Sequence, residues 1–191
     1  MFSAVLDTCV LWPSLQRDFL LSLAVENLYR PLWSSAILEE LEMHEARKLV
    51  GRGVSMPDAH RSAQRLVEQM TAAFDDACVS GWEPLDGTYG LPDRDDEHLV
   101  AAAVVGGAGT IVTMNVRDLP ADRLPAHVQV TSPADFALET VEIDPERAFE
   151  GVVKMAERRR RDPVQSVDQV LMILGDRYGM VAAAAVLKGA R

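Results

Sequence analysis

Acidic and amide side chains stand at four separated places in the chain, each where a folded backbone can deliver them to one edge. Asp7 follows the apolar run Phe2-Ser3-Ala4-Val5-Leu6, and Glu40 lies early in a helical stretch. Asp93, Asp95 and Asp96 cluster just before a second helical stretch, and Asn115 with Asp118 follow Thr110-Ile111-Val112-Thr113. Gathered together, such groups suit a hard divalent cation: Mg²⁺ takes oxygen ligands, commonly one or two carboxylates completed by waters and substrate phosphate. A pair of these ions activates water and stabilises the leaving oxygen of an in-line phosphodiester displacement. Taken singly, most of the residues have ordinary roles. Asp93, Asp95 and Asp96 suit a helix N-cap and first turn, Glu39 and Glu42 a solvated helix face, Asp118 the turn into Leu119-Pro120, and Asp122 that same loop. Asp7 resists this reading, because a carboxylate at the end of a buried run needs a partner for its charge.

The elements that must position these groups alternate. Residues 2–6 read as a short buried strand that ends at Asp7. Leu15, Phe19, Leu23 and Leu28 mark an amphipathic helix over 15–28, and 29–33 an extended segment. Ser34-Ser35 offers an N-cap for a helix over 36–50 that stops at Gly51 and Gly53. Ser55, with Pro57 and Asp58 behind it, starts a further helix reaching Phe74. After a loop rich in glycine and proline over 81–92, residues 97–105 are helical up to Gly106-Gly107, 110–113 form a buried strand and 128–130 a last one, with Ser132-Pro133 opening another helix. Strands separated by helices predict a parallel sheet. Ligands of such sheets bind beyond the carboxyl ends of the strands near a topological switch point, and Asp7 and Asn115 both belong on that edge. From Val141 onward the chain reads as helical, over 145–161, 166–178 and 180–188.

Composition narrows the class. With 191 residues the chain suffices for one substantial core and a small appendage, and 48% hydrophobic with 25% charged residues is the balance of a soluble globular protein. The N-terminus lacks the basic region of a signal peptide, and charges interrupt every apolar stretch before membrane-spanning length. Cys9 and Cys78 show no metal-binding or disulfide spacing, which predicts a reducing, cytoplasmic setting. The net charge of -10 argues against a broad basic surface for nucleic acid, yet it is compatible with carboxylates gathered around metal ions.

Four segments now carry a resemblance. Val5-Leu6-Asp7-Thr8-Cys9-Val10-Leu11, Ser35-Ala36-Ile37-Leu38-Glu39-Glu40-Leu41, Asp93-Arg94-Asp95-Asp96-Glu97-His98-Leu99-Val100-Ala101-Ala102-Ala103 and Ile111-Val112-Thr113-Met114-Asn115-Val116-Arg117-Asp118-Leu119 resemble, in order and spacing, the four signatures of PIN-domain nucleases. The match is closest to a bacterial branch similar to VapC-type toxins with a C-terminal helical extension. It implies a three-layer α/β/α fold with a central parallel sheet over 1–137 and a helical extension over 138–191. It also implies Mg²⁺- or Mn²⁺-dependent endoribonuclease activity through metal-activated water. Carried over motif by motif, Asp7, Glu40, Asp96 and Asp118 are catalytic, and Asp7, Asp96 and Asp118 hold metal. Asp93 is an outer or alternative ligand. Asn115 stands where many relatives carry Asp, so the charged fourth role falls to Asp118, with Thr8, Thr113 and Asn115 orienting water or phosphate. A homodimer and a cognate antitoxin that masks the acidic site with a basic segment, as in a type II toxin-antitoxin pair, are implied as well.

Other features have quieter readings. Arg158, Arg159, Arg160 and Arg161 suit a helix C-terminus or a contact to RNA phosphate, and Arg47, Lys48 and Arg52 form a second basic candidate. The four histidines lack ligand spacing, with His98 beside Asp96 belonging to the surroundings of the site or the surface. Trp12, Trp33 and Trp82 read as core or interface. Met155, Val170, Met172, Ile173 and Leu174 give the tail an apolar face to cover the nuclease domain or receive a partner helix. A haloacid-dehalogenase-like phosphatase also places Asp after its first strand, but the position two residues on, an Asp in that pattern, is Cys9 here; a receiver domain lacks its acidic pair and late Lys. The alternative from another class is an inactive PIN-like binding module for RNA or protein.

Overall fold

The computed structural model describes residues 2–159 and 164–191 and has an α/β fold. In chain order its elements are β1 (Ser3–Leu6), α1 (Thr8–Leu11), α2 (Ser14–Val25), β2 (Arg30–Ser34), α3 (Ser35–Gly51), α4 (Met56–Ala73), β3 (Cys78–Val79), α5 (Glu97–Gly106), β4 (Thr110–Val112), β5 (Gln129–Thr131), α6 (Pro133–Ile143), α7 (Pro145–Arg158), α8 (Val167–Tyr178) and α9 (Val181–Gly189). The strands make one five-stranded parallel sheet in the order β3-β2-β1-β4-β5. The chain packs as two compact units. One comprises Ser3–Trp12 and Pro31–Val130, and the other Pro13–Arg30 and Thr131–Arg191 with the first residues.

The first unit holds the sheet. In its central strand β1, Ala4, Val5 and Leu6 are inaccessible to solvent, as in a strand covered on both faces. β1 and β4 run parallel with Ala4 opposite Thr110 and Leu6 opposite Val112, so the residues that follow them, Asp7 and Thr113, emerge side by side at the carboxyl edge. β2 lies on the other side of β1, which makes this edge the point where the strand order reverses. Ser34, the last residue of β2, caps α3 by accepting from Ile37 N–H at 3.3 Å. Ser55 caps α4 through Asp58 N–H, and α5 ends on Gly107 at φ +67°, the left-handed conformation glycine adopts without strain.

Two elements escape the sequence reading. α1 is a single turn that begins at once after Asp7, too short for any periodicity to register. β3 is two residues long with Cys78 exposed, and its pairing with Trp33 and Ser34 of β2 is a tertiary choice that no local pattern announces. Gly106 explains how α5 seats there: a Cβ on it would lie 2.8 Å from Val79 Cγ2 and 2.9 Å from Leu32 Cδ1. Gly106→Ala is therefore expected to destabilise the protein by about 1–3 kcal/mol through overpacking. Chemical denaturation checks this, and an unchanged or raised midpoint would show that the strands give way freely.

The second unit is a cluster of helices. Phe19, Phe136, Tyr29, Val152, Val170 and Leu187 are buried in it. Tyr29 meets the Phe136 ring edge-on at 4.9 Å, and its hydroxyl donates to the Leu20 carbonyl at 3.1 Å. Gly151 lets α7 approach α2 closely, since a Cβ there would stand 3.0 Å from Glu26 Cγ, and Lys154 pairs with Glu26 beside it at 2.9 Å. Ser166 and Gln169 close a reciprocal capping box on α8. Met155, Val170 and Leu174 are buried, whereas Met172 is 53% exposed.

Candidate active site

The register of β1 and β4 builds the first part of the site. Thr113, fully buried, donates its hydroxyl to Asp7 Oδ2 at 2.6 Å. Cys9, two residues after Asp7 and turned back by α1, donates its thiol to the same oxygen at 2.9 Å, while its own N–H reaches Asp7 Oδ1 at 3.4 Å. Met114 N–H in turn donates to Cys9 Sγ at 3.2 Å. Burial, then the charge of Asp7 and its acceptance of the thiol proton, pushes Cys9 up to about 12, so the sulfur stays a protonated donor. Asp7 is thus both the N-cap of α1 and a buried carboxylate with its charge met by three donors.

α1 and α3 set the second part. Thr8, the first residue of α1, donates its hydroxyl to Glu40 Oε2 at 2.7 Å and lies 3.3 Å from the Ile37 carbonyl. The other Glu40 oxygen stands 3.6 Å from His98 Nε2 of α5. Glu40 keeps a side chain 40% exposed while being anchored from both sides.

The third part forms at the start of α5. Asp93 behaves as an ordinary cap, accepting from Asp95 N–H at 2.9 Å at the head of a short 3-10 turn, Arg94–Asp96. Asp96 precedes α5 yet makes no side-chain capping bond, and its buried oxygen Oδ2 has no hydrogen-bond partner among the described residues. Its carboxyl is pushed up to about 6, first by burial and then by the charges of Asp7, Asp93, Asp118 and Glu40. Asp118 comes into that set through the 3-10 turn Val116–Asp118, which folds the chain after β4 back on itself. Four carboxylates from four segments therefore act on a fifth.

That donor set fits a hard divalent cation. Asp96 Oδ2 is a buried lone-pair donor with no hydrogen-bond partner among the described residues, amid charges that a bound cation would relieve. Among the described residues no three acidic, His or Cys side chains are drawn close enough to cage an ion alone; Mg²⁺ needs only one or two carboxylates beside water and phosphate.

The remaining residues singled out in the sequence are placed as follows. Thr8 and Thr113, expected to orient water or phosphate, donate to Glu40 and Asp7. Asn115 is exposed, and its N–H donates to Thr113 Oγ1 at 3.0 Å. Arg158 and Arg159 belong to the helical unit, where Arg158 donates to Ser22 Oγ at 2.9 Å and Arg159 pairs with Asp18; Arg160 and Arg161 lie outside the described residues. Trp33 and Trp82 are buried as expected, but Trp12 is 41% exposed.

Cys9 is a residue to which sequence reasoning gave no part in the site. Glu97 is a second. Nearly fully buried, it accepts from Tyr89 N–H at 2.8 Å and Leu91 N–H at 3.0 Å and so ties the loop before α5 to the helix that follows Asp96. Burial alone would raise its carboxyl, but the backbone donors of Tyr89, Leu91 and Gly90 and the Arg94 charge hold it below the usual range. The signal for both was proximity in sequence to an acid of the site, which also fits many residues without such a role.

Partners of a ligating carboxylate tune it by roughly ten- to a hundred-fold. Cys9→Val, which removes the thiol donor, is expected to weaken Mn²⁺ binding about tenfold, while Cys9→Ser, which restores a hydroxyl donor, stays within about threefold of the native chain. Calorimetric Mn²⁺ titration measures this; equal affinities for both variants would deny the thiol a part.

Among the described residues no helix is long and apolar enough to cross a membrane. No curated protein and no solved structure matches the chain. A family model described as PIN domain, a class whose members are typically nucleases, matches residues 3–117, more than half of the chain, a span that holds Asp7, Glu40 and Asp96 and ends one residue before Asp118. The chain belongs to the PIN-domain family.

Proposed function

We propose that the chain is a Mg²⁺- or Mn²⁺-dependent endoribonuclease and the toxin of a type II toxin-antitoxin pair. The observation that carries the nuclease part is Asp96: a carboxyl with a buried oxygen that has no hydrogen-bond partner among the described residues, raised first by burial and then by four other carboxylates. Asp7, Asp96 and Asp118 are the residues that would hold the ion. When bound, the ion supplies a Lewis acid that activates water and offsets the charge of the phosphodiester. The chain's own contribution is order. Thr113 and Cys9 fix the rotation of Asp7, and Thr8 and His98 hold Glu40 toward the same edge. Glu40, hydrogen-bonded yet open to solvent, is suited to accept a proton from attacking water.

The toxin assignment rests on the likeness of the four segments to VapC-type toxins. An acidic pocket in a chain of charge -10 is complementary to a basic antitoxin segment; we place the activity in the cytoplasm, in a homodimer. The deciding experiment incubates purified protein with structured RNA. Cleavage that requires Mg²⁺ or Mn²⁺ supports the reading, and cleavage that persists in excess chelator defeats it.

A further inference from the structure

α1 and α3 run side by side, and the contacts between them repeat one turn apart. Thr8 meets Glu40 at 2.7 Å; four residues along each helix, Trp12 meets His44 with ring centroids 6.3 Å apart. The second pair therefore sits about 6 Å further along the helix axes, beside the carboxylates and on the same rigid elements. Trp12 differs from the other two indoles: Trp33 is inaccessible and Trp82 is 8% exposed, while Trp12 presents 41% of its surface.

A single exposed apolar side chain needs no special reason, but this one is surrounded by basic groups in a strongly acidic chain. Lys48 Nζ lies 5.7 Å from the indole centroid, a cation-π distance, while also pairing with Glu45. His44 is exposed against the ring edge. Arg47, one turn beyond His44 on α3, is exposed and has no ion-pair partner among the described residues. A π-face with a cation against it, and an exposed guanidinium without an ion-pair partner among the described residues on the same helix, is the combination that holds single-stranded nucleic acid, the base stacked and the phosphate neutralised.

We infer that Trp12, with His44 and Arg47, forms a stacking subsite for the nucleotide neighbouring the cleaved phosphodiester of single-stranded RNA. The inference rests on the nuclease reading for its substrate, and a double helix, whose bases are already stacked, would be a poor occupant. Binding of fluorescein-labelled octauridylate and octaadenylate to the full chain, in Ca²⁺ and followed by anisotropy and by tryptophan quenching, tests it. Trp12→Leu is expected to weaken binding about 5- to 100-fold, Trp12→Phe to retain most of it, and Arg47→Gln to lower affinity and flatten its salt dependence. Circular dichroism melts of each variant control for folding.

Equal binding by native protein and Trp12→Leu overturns the inference, as does failure of the native protein to bind either octamer. Tryptophan emission that shifts with protein concentration and ignores RNA assigns the indole to a protein interface and overturns it too. Cleavage with Mn²⁺, run in parallel, separates the two claims. Normal cleavage by Trp12→Leu at every RNA concentration removes the subsite and leaves the nuclease. Trp12-dependent binding without cleavage removes the nuclease and keeps the subsite.

Discussion

Asp7→Asn is expected to lower metal-dependent RNA cleavage by at least about a thousand-fold, the scale on which a centre stabilising transition-state charge fails when one member is lost. Asp7 sits between three donors: Thr113 and Cys9 side chains on Oδ2 and the Cys9 N–H on Oδ1. A carboxylate satisfies all three because both oxygens accept. An amide has one accepting oxygen, so its NH₂ either faces the donor-only Cys9 N–H or requires the Thr113 hydroxyl and the Cys9 thiol to turn and accept, and in both cases the charge is lost. Asp122, exposed in a loop beyond the site, provides the control: Asp122→Asn is expected to cleave as the native chain does. Initial rates on a defined RNA at saturating Mn²⁺ measure the contrast, and a loss of less than about tenfold in Asp7→Asn would remove Asp7 from the chemistry.

Asp96→Asn should abolish activity while making the metal-free protein more stable at neutral pH. The Asp96 carboxyl is pushed up to about 6 by burial and by Asp7, Asp93, Asp118 and Glu40, against an ordinary value of about 3.9. The folded chain therefore holds this proton more tightly than the unfolded chain does. Stability contributed by the protonated form is complete below about pH 4 and is lost as pH rises through about 6. Above that window the native protein carries a repelled charge that Asn lacks. Because Asp96 is only partly buried, solvent screening reduces the gain to the order of 1 kcal/mol, or about 2–4 °C in Tm for a chain of this size. Thermal melts in chelator are expected to show that gain at pH 7.5 and a smaller one at pH 4.5, which lies near the lower end of the window. Saturating Mn²⁺ should then raise the native Tm and leave the variant where it was. A variant that melts lower at pH 7.5, or a difference indifferent to pH, would show that Asp96 is not the focus of the repulsion.

These effects trace to features that the sequence exposes unequally. The strand before Asp7, the Ser34 cap before Glu40 and the αL glycine after α5 have local signals, and with them the edge on which Asp7, Asp96 and Asp118 gather. The bonds between acids and their partners have none. Thr113 reaches Asp7 because β1 and β4 pair in one particular register, and a shift by one residue would have turned it to the opposite face. Asp93 and Asp96 look equivalent as letters, yet one caps a turn while the other keeps a buried oxygen that has no hydrogen-bond partner among the described residues. Trp12 reads as core or interface in the string Cys9-Val10-Leu11-Trp12, and only its place at the end of a four-residue helix shows that it is exposed.

Binding of Mn²⁺ to the purified, metal-stripped protein bears on all of this most directly. Calorimetry with native chain, Asp7→Asn and Asp96→Asn is expected to show at least one Mn²⁺ bound per native chain and binding reduced beyond detection in both variants. A native chain that takes up no Mn²⁺, or variants that bind it as the native chain does, would contradict the assignment of these carboxylates to a metal.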